Sequence, residues 1–424
     1  MVNEEIKSLI HHYLIRKTDF LKVKDTMGED QLRLFVDHAI TNMCREDNLE
    51  LRMEDRLSLI RELVSAVVSL GPLRTLIEDK DVTEIMVNGP NQIYVQKKGR
   101  IILSDVRFSS GDHLMHTIQK ILAASGTNKR VDESTPFVDF PLAGGSRVNV
   151  ILPPCSLVGP VITIRKFADI TTVDHLVSLG TLNEDMATLL REGMKAKLNV
   201  IFCGATGSGK TTTLNVFSRH IPSHERIITI EDTPELRLMQ DHVVTLMTKG
   251  PNVEGKGEIT IRDLFINSLR MRPDRIIVGE VRSNEMLDLI ESIESGHSGS
   301  LAIVHAESPE DCFSRMVTMM LMTGIRLETD VIIKHVARSI DLIVHSALYP
   351  DGVRRISHIT DVSWSEEKHD VVLRDVFRFE QKGVDQSGHV QGQWMFDRQQ
   401  PSFYEKFFNR NVKLPQGFFH KKSS

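Results

Sequence analysis

The sequence predicts an α/β protein: a P-loop domain on a mostly parallel sheet, preceded by a smaller α+β domain and an N-terminal helical extension. Three observations predict it. A glycine-rich run, G-A-T-G-S-G-K-T from Gly204 to Thr211, follows an apolar strand and opens a helix. Beyond it, short apolar runs ending on polar residues alternate with helical patterns, as in a parallel sheet covered on both faces. Before it, near Val82, the apolar spacing changes from the period of helices to the alternation of strands.

A chain of 424 residues exceeds one ordinary core, so two or three domains are expected. The net charge of -5 and the scarcity of aromatics argue against a protein that coats nucleic acid. Cys44, Cys155, Cys203 and Cys312 are scattered, without paired or metal-ligand spacing, and are expected as reduced thiols. The first residues, Met1 to Glu5, are acidic and do not resemble a signal region. No apolar run reaches the ~20 residues of a membrane-spanning helix. Membrane contact is therefore expected only through a protein partner or at the surface.

Residues 1–70 read as helices, with apolar stripes at Ile6, Leu9, Ile10, Tyr13 and Leu14, then at Leu32, Phe35, Val36, Ala39, Ile40 and Met43. A third stripe, Leu57, Ile60, Leu63, Val64 and Val67, is stopped by Gly71-Pro72. Residues 71–167 form the expected α+β domain. Its strands are Thr83–Val87, Gln92–Gln96, Arg100–Leu103, Arg147–Ile151 and Val161–Ile164, with a helix through Leu114, Ile118, Ile121 and Leu122. Residues 168–180 read as a linker, and 181–424 as the P-loop domain. There, a helix with Met186, Leu189 and Leu190 leads into the strand Leu198–Phe202. Three later runs, Ile227–Ile230, Ile276–Val278 and Leu301–Val304, deliver Glu231-Asp232, Glu280 and His305 to their carboxyl ends, where such sheets bind ligands. Turns at Asp351-Gly352 and Ser387-Gly388 predict hairpins, followed by a helical stretch with Phe403, Phe407 and Phe408.

The run Gly204, Ala205, Thr206, Gly207, Ser208, Gly209 can fold tightly enough to turn several N–H groups into one concavity. A helix N-terminus behind it adds partial positive charge. Lys210 would bridge the outer phosphates of ATP, and the Thr211 hydroxyl, with Thr212 beside it, would stand where magnesium binds. Glu280 is expected to position water or magnesium, although Gly279 precedes it where many P-loop enzymes carry Asp. One of Glu231 and Asp232 is expected to align or deprotonate the attacking water. His297 and His305 are candidates for sensing the γ-phosphate, and zinc is rejected for want of metal-ligand company. Arg130, Arg147 and Arg165 suggest a charged edge of the α+β domain facing the nucleotide.

Taken together, these motifs resemble the secretion ATPase superfamily of type II secretion, type IV pili and type IV secretion. The marks are the P-loop, an acidic box (I-T-I-E-D-T-P-E-L, Ile228 to Leu236), a segment ending in Glu (R-I-I-V-G-E-V-R, Arg275 to Arg282) and a histidine box (Gly296 to Ala306). Finer phrases resemble the CpaF-type branch that drives Tad pili: V-T-E-I-M-V-N-G-P at Val82, G-S-R-V-N at Gly145, T-I-R-K-F at Thr163 and I-R-D-L at Ile261. The likeness runs from about residue 60 to the end. It implies a RecA-like P-loop domain after a PAS-like one, nucleotide contacts from Arg147 and Arg165, and a hexameric ATPase. It also implies a cytoplasmic location at the inner face of the membrane, working on a platform protein and pilin. One position departs. The family often shows D-A-R-L where this chain has Asp139-Phe140-Pro141-Leu142, so a proline stands at an arginine position, implying slower hydrolysis or replacement by Arg130.

Overall fold

A computed structural model describes residues 29–46, 53, 55–57, 59–60, 70–97, 99–127, 129–142, 146–166, 172–251 and 256–420. The chain divides into two compact units, Met1–Phe167 and Ala168–Ser424.

In the first unit, α1 (Glu29–Glu46) buries Val36, Ala39, Ile40 and Met43, the stripe expected from its spacing. The stripe at residues 6–14, and Leu63, Val64 and Val67 of the third, lie outside the described residues. After α2 (Arg74–Glu78) come β1 (Val82–Asn88), β2 (Ile93–Lys97) and β3 (Arg100–Leu103), then α3 (Gly111–Ala124). The sheet is completed by β4 (Phe137–Pro141), β5 (Arg147–Ile151) and β6 (Val161–Arg165), in the order β3-β2-β1-β6-β5-β4. Every neighbouring pair is antiparallel. Alternation turns Ile85, Val87, Val148, Val150, Ile162 and Ile164 into a core shared with Leu114, Ile118 and Ile121 of α3. Ser110 caps that helix by accepting from the His113 N–H. Pro141, Arg147, Arg165 and Glu84 are register partners across the sheet, in one row outside this core.

The second unit begins inside the expected linker. Residues Val173–Ser178 form α4, because Val173 and Leu176, one turn apart, enter this unit's core. Next come α5 (Glu184–Lys195), β7 (Val200–Gly204), α6 (Lys210–Ser218), β8 (Ile227–Glu231) and β9 (Val243–Met247). Then follow α7 (Ile261–Ser268), β10 (Arg275–Val278), α8 (Glu285–Glu294), β11 (Leu301–His305), α9 (Pro309–Met322) and α10 (Thr329–Ser339). The chain finishes with β12 (Leu342–Leu348), β13 (Arg354–Ser365), β14 (Asp370–Val384), β15 (Val390–Phe396) and α11 (Tyr404–Asn409). The nine strands lie in the order β15-β14-β13-β12-β7-β11-β10-β8-β9. The run from β12 to β9 is parallel, and β12 to β15 form antiparallel hairpins, two of them at the turns the sequence predicts and the third, between β13 and β14, at a turn over 366–369 that it does not.

Two cores cover the two faces of this sheet. Val200, Phe202, Leu301 and Ile303 pack with α4, α5 and α6 on one side. Ile201, Cys203, Ala302 and Val304 pack with α7 to α10 on the other. Burial on both faces is why these strands read as unbroken apolar runs. At the amino-terminal edge of the strands, the fully buried Arg275 donates to Glu225 (2.6 Å and 3.2 Å) and to the carbonyls of Gly299 (3.3 Å) and Met194. The carboxyl edge carries the candidate site.

Candidate nucleotide-binding site

The strand β7, between β11 and β12, runs into the glycine-rich loop. A Cβ at Gly204 (φ +146°) would lie 2.2 Å from the Ser346 carbonyl oxygen of β12 and 2.6 Å from Ser208 Oγ. Only glycine lets the loop leave the sheet this close to its neighbour. Gly207 (φ +77°) and Gly209 (φ +99°) then hold the left-handed conformations of the turn, and Gly209 caps α6. Ala205 and Thr206 are exposed at its tip, while Ser208 and Lys210 are buried. Lys210 folds back over the loop and donates from Nζ to the Ala205 carbonyl at 2.8 Å. Thr211 Oγ1 donates to Glu235 Oε2 at 3.4 Å, and Thr212, half-buried, follows in the first helical turn. Arg354 of β13 donates from Nε to the Gly207 carbonyl at 2.8 Å. The Ser208 hydroxyl is enclosed without a partner among the described residues. An orphaned hydroxyl, a helix N-terminus and a foldable lysine in one loop fit a polyphosphate. Thr211 Oγ1 and Glu235 Oε2 are hard oxygen donors of the kind magnesium takes. Among the described residues no cluster of three or more His, Cys, Asp or Glu is poised to hold a metal.

Three acidic side chains converge on the same edge with different partners. Glu231, at the end of β8, is buried, and its Oε2 accepts the N–H groups of Glu235 (2.6 Å) and Leu236 (2.8 Å). Its Oε1 has no partner among the described residues. Burial pushes the carboxyl up to about 7 despite those two donors. A Cβ at Gly279 would come within 2.8 Å of Glu231 Cγ. The Glu231 side chain therefore fills the space beside Gly279, the position where many P-loop enzymes carry Asp. Asp232 turns away and accepts from Thr248 Oγ1 at 2.6 Å. Glu280 lies 3.1 Å from His305 Nε2 through Oε1, and its Oε2 accepts from Arg282 at 2.5 Å. Burial pushes this carboxyl up, but the imidazole of His305 and then the guanidinium of Arg282 outweigh it and bring it down to about 2.

His305 closes β11 in register with Gly204, so it stands at the P-loop edge. His297 does not. It precedes β11, whose first residue Leu301 pairs with Val200, and its Nδ1 lies 3.3 Å from the Ser292 carbonyl. The length of the strand separates the two histidines. In the first unit, Arg147 and Arg165 are direct register partners, with Arg147 Nε 3.8 Å from Asp139 Oδ1. Pro141 is the next member of that row, whereas Arg130 lies on an exposed loop outside it. Sequence reasoning missed Glu235, Arg282 and Arg354. Glu235 and Arg282 lie inside quoted motifs, where spacing could have found them; nothing local links Arg354 to a loop 147 residues away.

A parallel sheet with a phosphate loop after its central strand, and carboxylates and a histidine at adjacent strand ends, defines a P-loop nucleotide-binding protein. The chain belongs to the type II/IV secretion system protein family, whose model matches residues 67–386. Over 317 residues it is 31% identical to a putative conjugal transfer protein of Mycobacterium tuberculosis (strain H37Rv), spanning 73% of this chain and 89% of that one. Over 324 residues it is 30% identical to the type IV secretion system protein VirB11 of Bartonella quintana, spanning 68% and 90%. Among solved structures it is similar to the VirB11 ATPase of the Brucella suis type IV secretion system in complex with sulphate. That match has 26% identity over 73% of this chain and 97% of the other, with a TM-score of 0.38. Among the described residues no helix is long and apolar enough to cross a membrane.

Proposed function

We propose that this protein is an ATP-hydrolysing motor, a ring of six copies at the inner face of the cytoplasmic membrane. It powers assembly of a Tad-type pilus through an inner-membrane platform protein. The observation that carries the reading is the meeting of Lys210, the Thr211–Glu235 pair and the Glu280–His305 pair at one sheet edge. The Tad assignment rests on the phrases at Val82, Gly145, Thr163 and Ile261.

In this reading Lys210 swings from the Ala205 carbonyl to the outer phosphates. Glu280, its carboxyl held near 2, stays ionised and orients water, and His305 fixes the carboxylate's direction. Magnesium, when bound, supplies charge neutralisation on the phosphate oxygens, and Thr211 with Glu280 or Glu235 would hold it. Arg147 and Arg165, register partners within the first unit, form a pair of neighbouring cations of the kind that binds phosphate. The relatives named for conjugal transfer and type IV secretion favour a second reading, an ATPase of that machinery. Pro141 in the arginine row favours a third, a nucleotide-switched scaffold with little turnover.

The test is phosphate release by the purified chain with ATP and magnesium, measured beside its mass in solution. Turnover is expected to rise with the assembled fraction, and Lys210→Ala to lower it at least about a hundredfold. Tight ATP retention without phosphate release would select the scaffold, and no retention at millimolar ATP would end the nucleotide reading. In the native cell, loss of the protein should remove pili and leave conjugal DNA transfer intact. The reverse pattern would select the second reading.

A further inference from the structure

We infer that Glu231 is a positioning residue, clamping the turn 232–236 so that Glu235 stands against Thr211, and is not the group that activates water. The inference rests on the ATPase reading and deepens it.

Both N–H groups that Glu231 Oε2 accepts belong to the far end of that turn, one to Glu235 itself and one to Leu236. The Glu235 side chain reaches the Thr211 hydroxyl at 3.4 Å. The same turn is pinned from α6: Asn215 Nδ2 donates to the Glu235 carbonyl at 3.2 Å, and Asn215 Oδ1 accepts the Arg237 N–H at 2.9 Å. Glu235 is therefore held on one side by the strand that carries Glu231 and on the other by the P-loop helix. Glu231 itself is 2% exposed. Oε2 is committed to backbone and lies beside Gly279, and Oε1 is fully buried, so no surface is left for an attacking water. Glu235 is half-buried and opens toward the P-loop hydroxyl. A carboxyl raised by burial suits a neutral acceptor as well as an ionised one, since one carbonyl oxygen can take both N–H groups.

The roles separate by substitution in the full chain. Glu231→Gln keeps the accepting oxygen, and its kcat is expected to fall no more than about threefold. Glu231→Ala is expected to lower kcat at least about thirtyfold while KM for ATP moves less than about threefold. In a Glu235→Gln background, Glu231→Ala should remove almost nothing further, because it acts through Glu235. The pH profile of Glu231→Gln should overlay the wild type from about pH 6 to pH 8, where a base at Glu231 would impose a rise that glutamine abolishes. Hydrogen exchange gives a readout independent of turnover. The Glu235 and Leu236 amides should be protected in wild type and Glu231→Gln and lose protection in Glu231→Ala. A chain without ATPase activity would leave that exchange pattern intact, so the two readings fail separately. Glu231→Gln as inactive as Glu235→Gln would overturn the inference, as would unchanged protection in Glu231→Ala. Should the alanine variant not fold, the glutamine variant and its pH profile decide alone.

Discussion

At the scale of single residues, Glu231 and Glu280 show what a letter in a sequence conceals. One ends β8 and the other follows the end of β10 by two residues, at the sheet edge where the apolar runs placed them. One is driven up to about 7 by burial, and the other is brought down to about 2 by His305 and Arg282. The partners decide, and they arrive from other strands and turns, so the positions were legible and the protonation states were not. His345, on β12 behind the P-loop, makes the same point and offers a test. It is buried with Nδ1 2.5 Å from Ser357 Oγ, and burial, aided by nearby His358, drops its pKa to about 4 from 6.5. Between those values the unfolded chain takes a proton that the folded chain refuses. Stability is therefore lost as pH falls from 6.5 toward 4, by at most roughly 3 kcal/mol. Glu231 tilts the other way, since its raised pKa makes stability fall as pH rises from 4.5 to 7. The contribution of His345 is therefore read as a difference. In urea unfolding, the stability gap between wild type and His345→Gln should shrink by about 2 kcal/mol between pH 7 and pH 4.5. A pH-independent gap would show that the imidazole titrates normally.

Among the elements, the P-loop separates two kinds of glycine. At Gly207 a Cβ meets nothing within 4 Å, so Gly207→Ala bears only the cost of a positive φ, about 1 kcal/mol. At Gly204 the same Cβ meets the β12 backbone at 2.2 Å, and β7 and β12 must part before it fits. Gly204→Ala is expected to lower the melting temperature by more than about 10 °C, against a few degrees for Gly207→Ala. Equal shifts would mean that β12 yields easily. The loop motif announced that both glycines matter but not that one of them faces another strand. Two of the strands missed from the sequence share a physical cause. β4 and β9 are edge strands, paired on one side only and partly exposed, so their apolar pattern is weak. β4 also ends on Pro141, which an edge tolerates. β7, β8, β10 and β11, buried on both faces, announced themselves, whereas β12, equally buried beside β7, was implied only as an arm of a hairpin.

For the whole molecule, the division of the core matters most. One apolar cluster belongs wholly to the first unit, and the two on either face of the nine-stranded sheet belong wholly to the second. Lys210, Thr211, Glu231, Glu235, Glu280, His305 and Arg354 all lie in the second unit, whereas the Arg147–Arg165 row lies in the first. A chain of residues 168–424 should therefore unfold in one cooperative thermal transition and hold a fluorescent ATP analogue within about fivefold of the intact protein. On the proposal that Arg147 and Arg165 take part in turnover, its phosphate release should fall by at least about a hundredfold, since it lacks both guanidinium groups. Arg147→Ala in the full chain should reproduce that split, with turnover lost far more than binding. Full-rate hydrolysis by the isolated unit would remove both arginines from the catalytic machinery and leave Arg354, already against the loop through the Gly207 carbonyl, as the candidate to take their place.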